Sequence, residues 1–175
     1  CIETLARVDV LCVDKTGTIT EPRMEVENVI PLTQDPPERL ESILRALYSR
    51  QEGENDTGRA MAEIFGGESD WVCTKRIPFT SATKWSAAVF EEHGAFITGA
   101  PEFVMGKRYE EVAQTVEAWS ATGCRVLLIA HYDGEPKPGA LEAERVTPLA
   151  LIALTNKIRE AAPATFAYFA SQGVS

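Results

Sequence analysis

Positive charge is the scarcer charge in this sequence: 17 Lys and Arg stand against 26 Asp and Glu, giving a net charge of −9. A pI near 4.8 without clustered basic residues argues against a general nucleic-acid binder. Long apolar runs are also missing. The densest, residues 149–154 and 162–170, fall short of the roughly 18 residues that a membrane-crossing helix needs. Cysteine is sparse, at positions 1, 12, 73 and 124, and no pair has zinc-site spacing. No leader-like segment precedes them, so they are expected to be buried, reduced thiols of a cytosolic protein. There is no internal repeat and no low-complexity stretch. The chain opens on cysteine rather than methionine, and it reads as an excerpt of something longer. What remains is globular: 45 % apolar and 25 % charged over 175 residues, enough for one or two domains with a core.

Hydrophobic periodicity divides the chain. Residues 8–13 are a compact β-branched apolar run, expected to be a buried, parallel strand that stops at the turn-prone 14–18. A weaker strand follows within 24–32. Leu40, Ile43, Leu44, Leu47 and Tyr48 share one helical face. A polar break covers 50–56, and a short helix over 57–65 ends at Gly66 and Gly67. The middle is β-rich: a strand over 71–77, a hairpin of 85–91 with 95–98 around His93, and a strand over 125–132. Helices are expected at 100–105 and 109–122, the second with Val112, Val116 and Trp119 on one stripe. After a Gly/Pro-rich loop, 149–154 reads as a second buried, parallel-type strand. A helix over 158–172 would turn Ile158, Ala162, Phe166 and Phe169 inward, with Pro163 in its first turn and Gly173 as its cap. Val174 would begin another strand. His93 and the acids Glu135, Glu142 and Glu144 read as solvated surface. The implied organisation is α/β and nested, with parallel-type strands at both ends and an α+β block between them.

The sharpest local feature is Asp14-Lys15-Thr16-Gly17-Thr18-Ile19-Thr20, placed after an apolar run. Ligands of open α/β sheets bind beyond the carboxyl ends of strands. A carboxylate there can attack a phosphoryl group and form an acyl phosphate. The N–H groups of a Gly-containing turn can hold phosphate oxygens, and magnesium prefers such oxygens as ligands. From spacing alone, an ordinary strand-ending turn with an exposed aspartate is the simpler reading. Likewise Phe79 alone fits a core aromatic, Lys84 a surface lysine and Arg125 a strand-edge arginine.

Taken as a set, those seven residues match the phosphorylation signature of P-type ATPases, and the resemblance runs along the chain. Pro78-Phe79-Thr80-Ser81-Ala82-Thr83-Lys84 resembles the family's nucleotide-binding stretch. Gly99-Ala100-Pro101-Glu102 is similar to its Lys-Gly-Ala-Pro-Glu motif. Gly123-Cys124-Arg125-Val126-Leu127 is similar to its Gly-x-Arg-Val-Leu strand. Residues 154–159 resemble the hinge that returns to the phosphorylation domain. The chain is thus identified as a member of the P-type cation-transporting ATPases, most similar to bacterial calcium- or magnesium-type pumps.

The resemblance implies a partial haloacid-dehalogenase-like (Rossmann-like) phosphorylation domain over 1–24 and 148–175. An α+β nucleotide-binding domain on an antiparallel sheet, 25–147, would be inserted into it. Asp14 would be the phosphorylated nucleophile, with Lys15 and Thr16 against phosphate. Asp14 and the Thr16 carbonyl would ligate Mg2+. Phe79 would stack on the adenine of ATP, with Ser81, Lys84, Gly99, Ala100 and Arg125 completing the nucleotide site. The parent would sit in the cell membrane and bind its cation there, with this region on the cytoplasmic side. The exposed edges of an incomplete sheet leave two expectations for the excerpt, dimerisation through them or disorder of the outer domain.

Several positions depart from the family pattern. Thr98 stands where a lysine is usual, which predicts ATP binding weaker than about 10 μM. Gly58 stands where many members carry a glutamate, leaving Asn55 and Thr57 as substitutes, and Asn156 replaces the hinge aspartate. The later magnesium-binding motifs are not in these residues, so the chain alone is expected not to turn over ATP. Two other readings compete: a haloacid-dehalogenase-type phosphatase and a non-catalytic nucleotide-binding module. The phosphatases usually carry a second Asp where Thr16 stands. Without it an aspartyl phosphate lives longer, as energy coupling requires.

Overall fold

The computed structural model describes residues 10–49 and 55–173, the side chains of 15 and 16 excepted. Cys1, Val8, Asp9, the stretch 50–54 and Val174, all given expectations above, lie outside the described residues. The chain divides into two compact units, one of residues 1–24 with 156–175 and one of residues 25–155.

The larger unit is built on a sheet whose strands are β1 (Thr20–Pro31), β2 (Cys73–Ile77), β3 (Trp85–Phe90), β4 (Gly94–Gly99), β5 (Arg125–Tyr132) and β6 (Val146–Ile158). Their spatial order is β1-β6-β5-β4-β3-β2. The ladder from β2 through β6 is antiparallel throughout. The expected hairpin is β3–β4, with Trp85 opposite Gly99 and Phe90 opposite Gly94. Residues 149–154 are buried as expected, but they pair antiparallel with β5, Leu128 opposite Leu151. Burial on both faces made this run read as parallel. It arises here because helices cover both faces of an antiparallel sheet.

Strand alternation sorts the side chains. Trp85, Ala87, Ala95, Ile97, Leu128, Ala130 and Leu151 point to one face and pack with Val104 and Met105 of α3 (Pro101–Met105) and with Val112 and Val116 of α4 (Glu110–Ala121). Trp119 packs on this core from its edge. Trp85 is 1 % exposed and donates its indole N–H to the Gly139 carbonyl at 3.2 Å. The opposite face presents Ser86, Ala88, Phe90, Phe96, Thr98, Arg125 and Ile129. On that side lie α1 (Pro37–Tyr48), which buries Ile43, Leu44, Ala46, Leu47 and Tyr48, and α2 (Asp56–Phe65), which buries Ala60 and Met61. A Tyr48–Thr98 contact ties α1 to β4, and an Arg125–Thr57 contact ties α2 to β5. Asn55 caps α2 by accepting from the Gly58 N–H at 2.8 Å, which satisfies one of the N–H groups a helix start leaves open.

His93 is exposed in the β3–β4 turn, as expected, and its ring stacks on Trp71 with centroids 3.6 Å apart. Glu135 pairs with Lys75 and Glu142 with Arg145, so these acids are surface ion pairs rather than bare charge.

The smaller unit corrects two expectations, and the cysteines a third. Residues 10–13 form no strand, and Val10 is 63 % exposed. Apolar character alone does not make a strand; the backbone needs a ladder partner, and no described strand pairs with these residues. The last helix, α5 (Ala162–Ser171), starts later than expected because β6 continues to Ile158, which is exposed, as is Phe166. Of that helix face only Ala162 is buried and Phe169 half-buried. The cysteines are free but not buried: Cys12 and Cys73 are exposed and Cys124 is intermediate. Cys12 lies on irregular backbone, Cys73 on the edge strand β2, and Cys124 in the turn before β5. No described helix is long and apolar enough to cross a membrane.

Candidate functional site

Around Asp14 the backbone does what a glycine-bearing turn permits. Asp14 is exposed and leads into a single π-helical turn, Lys15–Ile19. Gly17 has φ +79°, a left-handed conformation that side-chain-bearing residues rarely adopt. Its N–H donates to Thr20 Oγ1 at 3.3 Å. The other end of the chain holds this turn. Arg159 donates from its backbone N–H to the Ile19 carbonyl at 3.0 Å, from Nε to the Thr20 carbonyl at 3.1 Å and from Nη2 to the Gly17 carbonyl at 2.9 Å. Asn156 donates from Nδ2 to the carbonyls of Arg23 at 3.2 Å and Glu21 at 3.4 Å. An aspartate at this hinge position has no N–H to offer those carbonyls. Asparagine therefore does something here that the usual residue cannot.

The larger unit contains a cavity of about 1090 Å³, assembled from segments far apart in sequence. The end of α1 contributes Tyr48, the start of α2 Asn55 to Gly58, and the β2 end Arg76 and Phe79. Lys84, Thr98, Gly99, Ala100 and Arg125 complete the parts that matter chemically. Of the residues expected at a nucleotide site, Phe79, Lys84, Gly99, Ala100 and Arg125 all line this cavity; Ser81 is exposed in the adjoining turn and does not. Asp14, Lys15 and Thr16 belong to the other unit.

Each lining residue is held there by local structure. Phe79 is 47 % exposed, an aromatic face left open to solvent rather than a core residue. Lys84 has φ +60°, unusual for a residue with a side chain. Its backbone is held on both sides, its N–H donating to the Thr80 carbonyl and its own carbonyl accepting from the Ala100 N–H, both at 2.9 Å. Gly99 has no room for a side chain: a Cβ there would lie 2.5 Å from Trp85 Cβ and 2.7 Å from the Lys84 oxygen. This close approach of β4 to residues 84–85 locks Lys84 and Ala100 together at the cavity wall. Arg125 donates to Thr57 Oγ1 at 3.0 Å, joining α2 to β5 across the lining. Arg76 donates to the Leu47 carbonyl at 3.2 Å.

Two lining residues were missed from the sequence. Tyr48 read only as part of a helix's apolar face, and Arg76 lay in the 71–77 strand without being singled out. Tyr48 is buried and donates to Thr98 Oγ1 at 3.4 Å; burial pushes its phenol up to about 12, and the Thr98 hydroxyl draws it slightly back. The lining thus offers an open aromatic face, three cations (Arg76, Lys84, Arg125) and several hydroxyls. That combination suits a ligand with a flat apolar part and an anionic part.

No family model matches the chain. It is 40 % identical over 178 residues to the calcium-transporting ATPase CtpE of Mycolicibacterium smegmatis, covering 99 % of this chain and 21 % of that protein. It is 42 % identical over 181 residues to CtpE of Mycobacterium tuberculosis, covering 99 % and 22 %. A probable cation-transporting ATPase, exp7, of Streptococcus pneumoniae is 38 % identical over 181 residues, again 99 % and 22 %. Among solved structures, a zinc-transporting PIB-type ATPase superposes with a TM-score of 0.63 at 20 % identity, covering 99 % of this chain and 26 % of that one. The chain belongs to the P-type cation-transporting ATPases. It spans about a fifth of the length of the curated relatives it matches.

Proposed function

We propose that the larger unit binds MgATP in the cavity and that the protein to which this chain belongs transfers the γ-phosphoryl group to Asp14 to drive cation transport. The carrying observation is the cavity itself, which gathers Phe79, Lys84, Gly99, Ala100 and Arg125 from three separate stretches of sequence. Phe79 stacks on the base, a contact that contributes about 1–3 kcal/mol in comparable aromatic–base pairs. Lys84 and Arg125 take the phosphates, Arg125 exchanging its Thr57 contact for an anionic oxygen. Asp14 then attacks the γ-phosphorus in line: one carboxylate oxygen–phosphorus bond forms, the bond to the β-phosphate oxygen breaks, and ADP leaves with that electron pair.

The exposed Asp14 carboxylate is an oxygen donor of the kind that suits a magnesium arriving on the nucleotide's phosphates. Asp14 and the Thr16 carbonyl would hold it. When bound, it supplies charge neutralisation at the phosphate oxygens. By the names of the CtpE relatives, calcium is the first cation to test. A membrane location of the whole protein, with this region on the cytoplasmic side, belongs to the same proposal, as does the division into a nucleotide-binding and a phosphorylation part. Self-association of the chain through its sheet edges is likewise a proposal, read from molecular mass in solution.

The test is titration of the 175-residue chain with MgATP, followed by calorimetry and by tryptophan fluorescence. Saturable binding weaker than about 10 μM is expected, reduced about tenfold or more in Phe79→Ala and in Lys84→Ala. Unchanged affinity in both variants overturns the site. The chain alone is expected to form no acid-stable phosphoprotein, whereas the whole protein is expected to form one that Asp14→Asn abolishes.

A further inference from the structure

Tyr48 ends α1 and is 6 % exposed, yet it lines the cavity. Its hydroxyl donates to Thr98 Oγ1 at 3.4 Å, the one partner that hydroxyl has among the described residues. That distance is long for an O–H···O bond, so the pair is only loosely closed without ligand. The phenol is protonated at neutral pH, as any tyrosine is, and so is a donor. Thr98 therefore accepts from Tyr48, and its own hydroxyl proton has no acceptor among the described residues. Thr98 is half-buried and lines the cavity, so that proton is open to an acceptor that enters it.

The location selects the kind of acceptor. β4 presents Thr98 beside Ser86 of β3, and Leu47 and Ala88 are apolar members of the same lining. The phosphates have better partners in Lys84 and Arg125. Thr98 brings a neutral hydroxyl, which suits an uncharged ring nitrogen or carbonyl. Two hydroxyls in series also polarise each other, so the second donates more strongly than it would alone.

We propose that Tyr48 and Thr98 form a neutral hydroxyl relay in which Thr98 donates a hydrogen bond to an acceptor on the base edge of the bound nucleotide. Tyr48 is the positioning residue and Thr98 the one that touches ligand. The proposal rests on the nucleotide reading of the cavity.

The experiment compares the 175-residue chain with Thr98→Val, Tyr48→Phe and the double variant, titrating each with ATP and with adenosine by chemical-shift changes. Thr98→Val keeps side-chain shape and removes the donor. It is expected to weaken ATP and adenosine alike, by about fivefold. Tyr48→Phe is expected to weaken both about twofold, and the double variant to match Thr98→Val alone, since the relay has lost its end. Melting curves identify any variant that has lost its fold. In that case Thr98→Ser, which keeps the donor, is expected to bind as the unsubstituted chain does. Unchanged ATP affinity in Thr98→Val, or additive losses in the double variant, overturn the relay. Adenosine that is spared, or that fails to bind at millimolar concentration, overturns the base-edge assignment. Absence of ATP binding by the unsubstituted chain overturns the nucleotide reading itself and the relay with it.

Discussion

The Arg159 guanidinium donates to the Gly17 carbonyl at 2.9 Å, across 142 positions of sequence. Its Nε reaches the Thr20 carbonyl as well, so one planar fork holds both ends of the turn that follows Asp14. The turn is therefore set by the chain's return through β6 and not by its own residues alone. Arg159→Ala is expected to speed amide exchange over residues 17–20 and to cost about 1 kcal/mol of local stability, the group being solvent-exposed. Arg159→Lys should recover little, because an ammonium cannot place two parallel donors. Unchanged exchange at Gly17 and Thr20 would remove this role.

Lys84 combines a left-handed backbone with a cation on the cavity wall. Glycine relieves the backbone and deletes the charge. Lys84→Gly is expected to leave the fold as stable or to stabilise it by about 1 kcal/mol, while lowering ATP affinity as much as Lys84→Ala does. Denaturant midpoints and titrations measured side by side separate the two effects.

Gly99 has the opposite problem, no room rather than an unusual φ. A methyl group there meets Trp85 and the Lys84 carbonyl at 2.5–2.8 Å. Neither can retreat, because Trp85 is buried and Lys84 is tied to Ala100. Gly99→Ala is expected to cost about 1–3 kcal/mol by overpacking, read as a lower denaturant midpoint, and to weaken ATP binding by displacing Lys84.

Tyr48 sets a pH dependence. Its folded-state value is raised from 10.0 to about 12. The stabilisation of the neutral phenol is complete below pH 10 and is lost as pH rises from 10 to 12, because only the unfolded chain releases the proton there. The loss is on the order of 2–3 kcal/mol. Tyr109 is also shifted up, chiefly by burial, with Glu102, Glu117 and Glu110 adding to it, so some alkaline loss persists without Tyr48. Tyr48→Phe is expected to flatten the stability curve between pH 10 and 12 relative to the unsubstituted chain, measured by denaturant titration at each pH.

Much of this was readable from local pattern. The α1 face, the β3–β4 hairpin, β5 and α4 follow from 3.6- and 2-residue periodicities within a dozen residues, and short-range periodicity survives any tertiary context. The cavity residues Phe79, Lys84, Gly99, Ala100 and Arg125 were marked by motif, since each sits in a short stretch with few alternatives. Residues 10–13 and α5 were misread for one reason: apolar composition reports that a surface wants cover, but not whether a partner stands beside it. The 149–154 run was read with the wrong direction because burial on both faces is common to central strands of either kind.

Local sequence thus carried most of the elements, the family and five of the residues that line the cavity, because those depend on neighbours a few positions apart. Long-range placement carried the rest. Nothing near Tyr48 in sequence points to Thr98, 50 positions on, and nothing near Gly17 points to Arg159. Those pairings exist only once the sheet order β1-β6-β5-β4-β3-β2 brings distant segments together. Hydrogen bonds act over about 3 Å whatever the separation along the chain.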